Sequence, residues 1–251
     1  MSERAARAER LRPYFGLQLR LAERIAALRP MPLSEAVLEF TNLHRRFGLG
    51  RLDGRGPAPA WADFSGRLDR LATAEARLDW TMAFFEASPE EEALGPGQVS
   101  FGCFALDPPD TTGAARIHFY NNDSTDGVGP LAAAKAPARR AELRAMFAYL
   151  RAAYPAARTL RGGSWLYNLE AYRRLFPPAY VASRAPMAAP RLAGASTWGQ
   201  LLRHDESVNA AVRDTLLANL DALDPTEPWA VFPYRAQVTS APVEAFYGFY
   251  E

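Results

Sequence analysis

The feature that most constrains the fold of this chain is a change of pattern near residue 95. Before it, apolar residues recur at helical spacing. Leu17, Leu19, Leu21, Ile25 and Leu28 lie among Arg, Gln and Glu, and Pro30 and Pro32 close that run. Ser34 is a candidate cap for a second helix carrying Ala36, Val37, Phe40, Leu43 and Phe47, with Gly48 as its stop. Residues 48–59, rich in Gly, Pro and Arg, read as a loop. A further helical run spans about Trp61 to Ala87, with a break near Ala72. After residue 95 strand formers take over: Val99 to Phe104, then Ile117 to Tyr120, joined by the turn-forming Asp107–Gly113 segment as an antiparallel pair.

A polar loop follows, from Asn121 to Pro130. Next come a helix from about Pro137 to Tyr154, a strand from Ala157 to Trp165 weakened by two glycines, and a short helix through Leu175 that Asn168 is placed to cap. Tyr180 to Ser183 reads as a short strand. Trp198 to His204 reads as a short helix, and Ser207 is placed to cap a longer one through Leu220. Trp229 to Val238 is a late strand and Val243 to Tyr250 a terminal aromatic helix. This order predicts a mixed α/β (α+β) sheet flanked by helices over residues 96–251, behind a helical N-terminal region over 1–95.

Composition narrows the class. The 251 residues are 49% hydrophobic and 23% charged, which excludes a disordered chain and supplies a sizeable core. One cysteine, Cys103, excludes an intramolecular disulfide framework and a Cys-rich zinc module. It reads as a small buried residue rather than a nucleophile. A net charge of +1 gives no nucleic-acid-coating surface. No apolar run reaches the ~20 residues of a membrane span, and residues 1–12 lack the apolar centre of a secretory signal. A cytoplasmic protein with no membrane or nucleic-acid partner is expected. Lys135 is the single lysine among 29 basic residues. That imbalance, with the abundant alanine, points to a GC-rich bacterial genome, so arginine counts carry little functional weight.

The segment Asn168-x-x-Ala171-x-x-x-Leu175, followed by Ala179-Tyr180, resembles the GNAT superfamily of acyl-CoA N-acyltransferases. The strand–loop–helix before it lies where that family has its pyrophosphate-binding turn. The resemblance covers roughly residues 98–185. It implies a GNAT-like central sheet, a coenzyme A thioester as co-substrate and a small-molecule amine as acceptor. Gly127, Val128, Gly129 and Asn168 would then bind the coenzyme. The chain departs from the pattern twice. Gly127-Val128-Gly129-Pro130 only approximates the family's loop, and Leu175 stands where the family often carries an acidic Tyr.

Three candidate catalytic residues follow. His118 is the best-placed general base, on the strand leading into the loop and on the same face as Tyr120. Ser164 and Tyr167 offer hydroxyls beside Trp165, which alternation predicts to be buried while Ser164 or Tyr167 faces a pocket. A bulged strand, a packed Trp and a capping Asn would account for the same residues. Gly-x-Ser-x-Gly is absent, so a nucleophile-elbow hydrolase has little support. His44, His118 and His204 show no metal-ligand spacing, and no metal is expected. The competing expectation is a non-catalytic protein that keeps the fold for binding a ligand or a partner. The acyl donor, the acceptor and the oligomeric state stay open.

Overall fold

Leu11, Phe15, Gln18, Ala22 and Ile25 step along the first helix by alternating fours and threes, so all five fall on one face, and all are fully buried. In the computed structural model, which describes residues 3–50, 58–89, 94–95, 97–123 and 127–251, this helix is α1 (Glu3–Leu28). It is followed by α2 (Leu33–Phe40), α3 (Leu43–Arg46), α4 (Trp61–Leu68) and α5 (Ala74–Ala87). Thr73 caps α5 by accepting from Ala76 N at 3.2 Å. At the other end Arg4 donates to the carbonyls of Phe85, Ser88 and Pro89, placing a cation where the helix dipole is negative.

The strands begin with β1 (Val99–Phe101) and β2 (Phe104–Asp107). The single strand expected over 99–104 is thus a hairpin. Gly102 adopts φ +62° while Cys103 keeps negative φ, the combination that a two-residue type II′ loop requires. Then come β3 (Ala114–Phe119), α6 (Ala136–Ala153), β4 (Thr159–Ser164), α7 (Glu170–Arg173), α8 (Pro178–Ala182) and β5 (Ala185–Pro186). The chain continues through α9 (Ala195–Trp198) and α10 (Ala210–Leu220), and ends with β6 (Gln237–Pro242) and α11 (Glu244–Tyr250).

Three local expectations change. Tyr180–Ser183 is helical rather than extended, because Pro178 occupies the first turn of α8, where its fixed φ suits a helix and its missing N–H costs nothing. Asn209, not Ser207, caps α10; the Ser207 hydroxyl bonds Asp205 instead. The late strand starts at Gln237, since residues 228–231 form a 3₁₀ turn.

The chain divides into two units, residues 1–93 with 189–233, and residues 94–188 with 234–251. Residues 189–233, expected to belong with the sheet, group with the N-terminal helices. Within that first unit an aromatic cluster of Phe15, Phe47, Trp61, Phe64, Phe84 and Phe85 forms the centre of the core. Trp198 Nε1 donates to the Phe40 carbonyl at 3.1 Å.

The second unit is a mixed α/β structure built on a six-stranded sheet of order β1-β2-β3-β4-β6-β5. Among the described residues β3 and β4 are the parallel pair, and the other neighbouring pairs are antiparallel. The 39-residue connection between β3 and β4 carries α6, as a parallel crossover must. One sheet face, presenting Phe104, Leu106, Ile117 and Leu160, belongs to a core shared with α6 and α11. There Phe147 stacks on Phe246 and Tyr250, with ring centroids 4.7 and 5.1 Å away. No helix among the described residues is long and apolar enough to cross a membrane.

Candidate active site on the open face of the sheet

Alternation along β3 sends Ala115 and Ile117 into the core and Arg116 and His118 to the opposite face. Tyr120 extends the strand, its N–H donating to the Cys103 carbonyl. Ala105 lies directly opposite His118 on β2, and Asp107 is its diagonal neighbour. His118 spans that diagonal: Nε2 lies 2.7 Å from Asp107 Oδ2. Gln98 Nε2 donates to Asp107 Oδ1 at 2.5 Å, and the Tyr120 hydroxyl donates to Gln98 Oε1 at 3.1 Å. The His118 and Tyr120 rings stack with centroids 6.4 Å apart.

Burial pushes the Asp107 carboxyl up, but the His118 and Gln98 hydrogen bonds, with Arg116 nearby, outweigh it and hold the group below the usual carboxylate range. An ionised Asp107 can only accept, so it fixes Nε2–H as the tautomer of the neutral form of the His118 imidazole. Nδ1 is then the proton acceptor, the arrangement by which a carboxylate orients a general base. Sequence reasoning found His118 but missed Asp107, which had been read as the start of a turn. Its signal is the hairpin register, which only the paired strands supply.

The ladder between β3 and β4 runs from Ala114↔Thr159 to Ile117↔Gly162 and stops there. Both strands continue for two residues, His118–Phe119 and Gly163–Ser164, without pairing to each other. Each stays bound to its outer neighbour, β2 or β6. The parallel ladder therefore ends just before His118.

The two glycines of β4 serve opposite faces. A Cβ at Gly162 would lie 2.0 Å from the Tyr167 hydroxyl and 2.2 Å from that of Tyr180, so the absent side chain makes room for this phenol pair. A Cβ at Gly163, on the open face, would meet Met187 Cε at 3.3 Å and Arg116 Nη2 at 3.8 Å.

The remaining expected site residues have structural partners. Ser164 Oγ accepts from Leu166 N at 3.1 Å and caps the 3₁₀ turn over residues 165–168. Tyr167 lies in the core, 1% exposed, its hydroxyl 2.7 Å from that of Tyr180, and burial pushes its phenol pKa well up. Trp165 is half-buried and stacks on Tyr234 at 5.7 Å. The expectation for this pair is thus reversed: Trp165 is the partly open residue and Tyr167 the buried one. A 3₁₀ turn replaces the strand at that point, so two-residue alternation no longer applies.

Asn168 does not cap a helix. It ends the 3₁₀ turn, and the N-cap position of α7 is Leu169. Its Nδ2 donates to the carbonyls of Trp165 and Arg235 at 2.7 and 2.9 Å, and its Oδ1 accepts from Gln237 Nε2 at 3.0 Å. The amide ties the turn to β6.

In the loop before α6, Ser124, Thr125 and Asp126 lie outside the described residues. Gly127 adopts φ +71°, and Val128 is exposed. Asp123 accepts from Lys135 Nζ at 2.6 Å and from Arg139 Nη2 at 2.9 Å. The Lys135 hydrogen bond is the largest of the influences that hold its carboxyl below the usual range. Arg139, 3% exposed, also donates to Glu142 Oε1 at 2.7 Å and contacts Cys103 Sγ. Burial pushes both the Glu142 carboxyl and the Cys103 thiol up. Cys103 is buried in this ion-paired cluster, as its small apolar reading implied.

No group of His, Cys, Asp and Glu among the described residues is arranged to hold a metal ion. Comparison with protein-family models, curated proteins and solved structures finds no match for the chain.

Proposed function

We propose that the chain is a GNAT-like acyltransferase that moves an acyl group from a coenzyme A thioester to a small-molecule amine. One observation carries this reading: the ladder of the parallel strand pair ends just before His118, and His118 is held there by Asp107 with Nδ1 left to take a proton. Splayed strands are the device by which that family admits the pantetheine arm. Phe119, whose backbone groups face β4 beyond the last ladder pair, would offer partners to the amides of such an extended arm. The β3–loop–α6 order agrees with the family's strand–loop–helix. In the reaction the amine nitrogen bonds to the acyl carbon and its proton passes to His118 Nδ1. The carbon–sulfur bond breaks and the thiolate departs. Gly127, Val128 and Gly129 would lie beside the pyrophosphate; Asn168 would act indirectly, by fixing the turn after β4.

A second reading, a non-catalytic binder on the same fold, is favoured by the head of α6. Asp123 already neutralises Lys135 and Arg139 there, so an anion must compete with a built-in carboxylate. Leu175, at the family's Tyr position, is buried.

Calorimetry with acetyl-coenzyme A, followed by a thiol-release assay over a panel of amines, tests the first reading. His118→Ala is expected to slow turnover about a hundredfold or more while leaving thioester affinity within about twofold. Absence of binding at millimolar ligand, with no thiol release, removes the acyltransferase reading. Binding without turnover selects the second.

A further inference from the structure

The like-charged pair Arg116 and Arg161 lies side by side on the open face, as Cα partners in the β3/β4 ladder. Such pairs are destabilising unless something compensates them. Arg161 has a 3.5 Å contact with Asp110, half-exposed on both sides. Asp107, opposite Arg116 on β2, already accepts from His118 and Gln98. Arg116 is exposed and has neither a hydrogen bond nor an ion pair among the described residues. Its guanidinium is also displaced along the sheet. The register puts Arg116 level with Arg161, yet Nη2 lies 3.8 Å from the Cβ position of Gly163, two residues further along β4. A planar cation with no hydrogen bond or ion pair of its own, its charge facing Asp107, therefore leans toward His118 beyond the end of the ladder.

We propose that Arg116 binds the carboxylate of the acceptor, and that the acceptor is a free amino acid. This rests on the acyltransferase reading and names its substrate class. A guanidinium presents paired N–H donors that match a carboxylate. Arg116 and His118 are two residues apart on one strand face, about 7 Å between Cα atoms. With the guanidinium leaning toward His118, the remaining span suits a molecule whose amine and carboxylate are close neighbours. The amine would face His118 Nδ1 and the carboxylate Arg116. Met187, against Gly163, and the exposed Val238 opposite it on β6 offer an apolar flank to the rest of the acceptor.

The test needs no turnover. The full chain is heated with each of the twenty free L-amino acids and, separately, with the matching amino-acid amides, which keep the amine and lose the carboxylate charge. At least one amino acid is expected to raise Tm in a concentration-dependent way, and its amide is expected to raise it less or not at all. Arg116→Gln should weaken that binding by about tenfold to a hundredfold, with partial recovery in Arg116→Lys. The proposal is overturned if no amino acid shifts Tm at about 10 mM. It is equally overturned if amides act as well as acids, or if Arg116→Gln binds like the parent. Acetyl-coenzyme A binding in the same preparation separates the two levels. Thioester binding without an amino-acid response removes only the acceptor. An amino-acid response that depends on Arg116, without thioester binding, keeps the carboxylate site and removes acyl transfer.

Discussion

Acidification should selectively unfold the N-terminal helical unit through His44. This imidazole is 8% exposed, has Trp61 edge-on at 6.0 Å, and carries a buried Nδ1 without a hydrogen-bond partner among the described residues. Burial, with a contribution from the Arg45 charge, lowers its pKa from 6.5 to about 4. Between those values the unfolded chain binds a proton that the folded chain refuses, so stability rises with pH. The contribution is complete above pH 6.5 and is lost as pH falls toward 4. At about 1.4 kcal/mol per pH unit, the loss between pH 7.5 and 4.5 comes to about 2–3 kcal/mol. His44→Phe keeps an aromatic ring against Trp61 and removes the titration. Urea unfolding at the two pH values, followed by tryptophan fluorescence, reads the effect well, because Trp61, Trp80, Trp198 and Trp229 all lie in this unit. With a urea m-value of about 2–3 kcal/mol/M, the wild-type midpoint should fall by about 1 M more than that of the variant. Every other titratable group is common to both proteins and cancels in the comparison. Equal pH dependence in the two, within about 0.5 kcal/mol, would refute the buried neutral imidazole.

Three further outcomes follow from the sheet unit. Gly162→Ala must force apart the Tyr167–Tyr180 hydroxyl pair, and is expected to cost about 2–5 kcal/mol in chemical denaturation; a cost under about 1 kcal/mol would contradict the packing of that pair. Trp165→Ala, at a half-buried ring stacked on Tyr234, should cost less than about 2 kcal/mol, below the 3–5 kcal/mol of a fully buried Trp, and the same denaturation assay decides between them. Asp107→Asn should lower the proposed acyl transfer by about a hundredfold or more, because an amide can hydrogen-bond His118 in the wrong tautomer; wild-type turnover in this variant would remove Asp107 from the proposed mechanism.

The sequence made the helices legible wherever one apolar face was long. The break near Ala72, the extent of α6 and the terminal α11 all follow from spacing and punctuation. It failed where two local rules competed. Val99–Phe104 has strand formers on both sides of Gly102, so composition hid a turn that the glycine's positive φ made possible. Pro177-Pro178 reads as a stop, yet the second proline opens α8. Ser207 and Asn209 are both good caps, and only the path of the chain chooses between them. The site was half legible for a related reason. His118 stands out by type and strand position, whereas Asp107 belongs to the site only through a diagonal contact across a hairpin. Arg116 was discounted with the other arginines, because a count cannot show which guanidinium lacks a partner.

Gly162 and Gly163 join these observations. Two consecutive glycines weaken an isolated strand, since each gives up more backbone freedom than any other residue and contributes no packing of its own. Here the strand is secured from outside: β6 pairs with all six residues of β4, from Thr159↔Pro242 to Ser164↔Gln237. With β6 supplying the ladder, β4 can drop its bond to β3 beyond Gly162 and still remain a strand. Gly162 then seats two phenols that fill the core beneath it. Gly163 leaves the opposite face low enough for Arg116 to lean across it. A side chain at Gly162 would displace the two phenols, and one at Gly163 would press on the end of Met187. The glycine pair is thus the point at which the sequence trades local strand preference for an early end to the parallel ladder, and it lies level with His118, the imidazole that Asp107 holds.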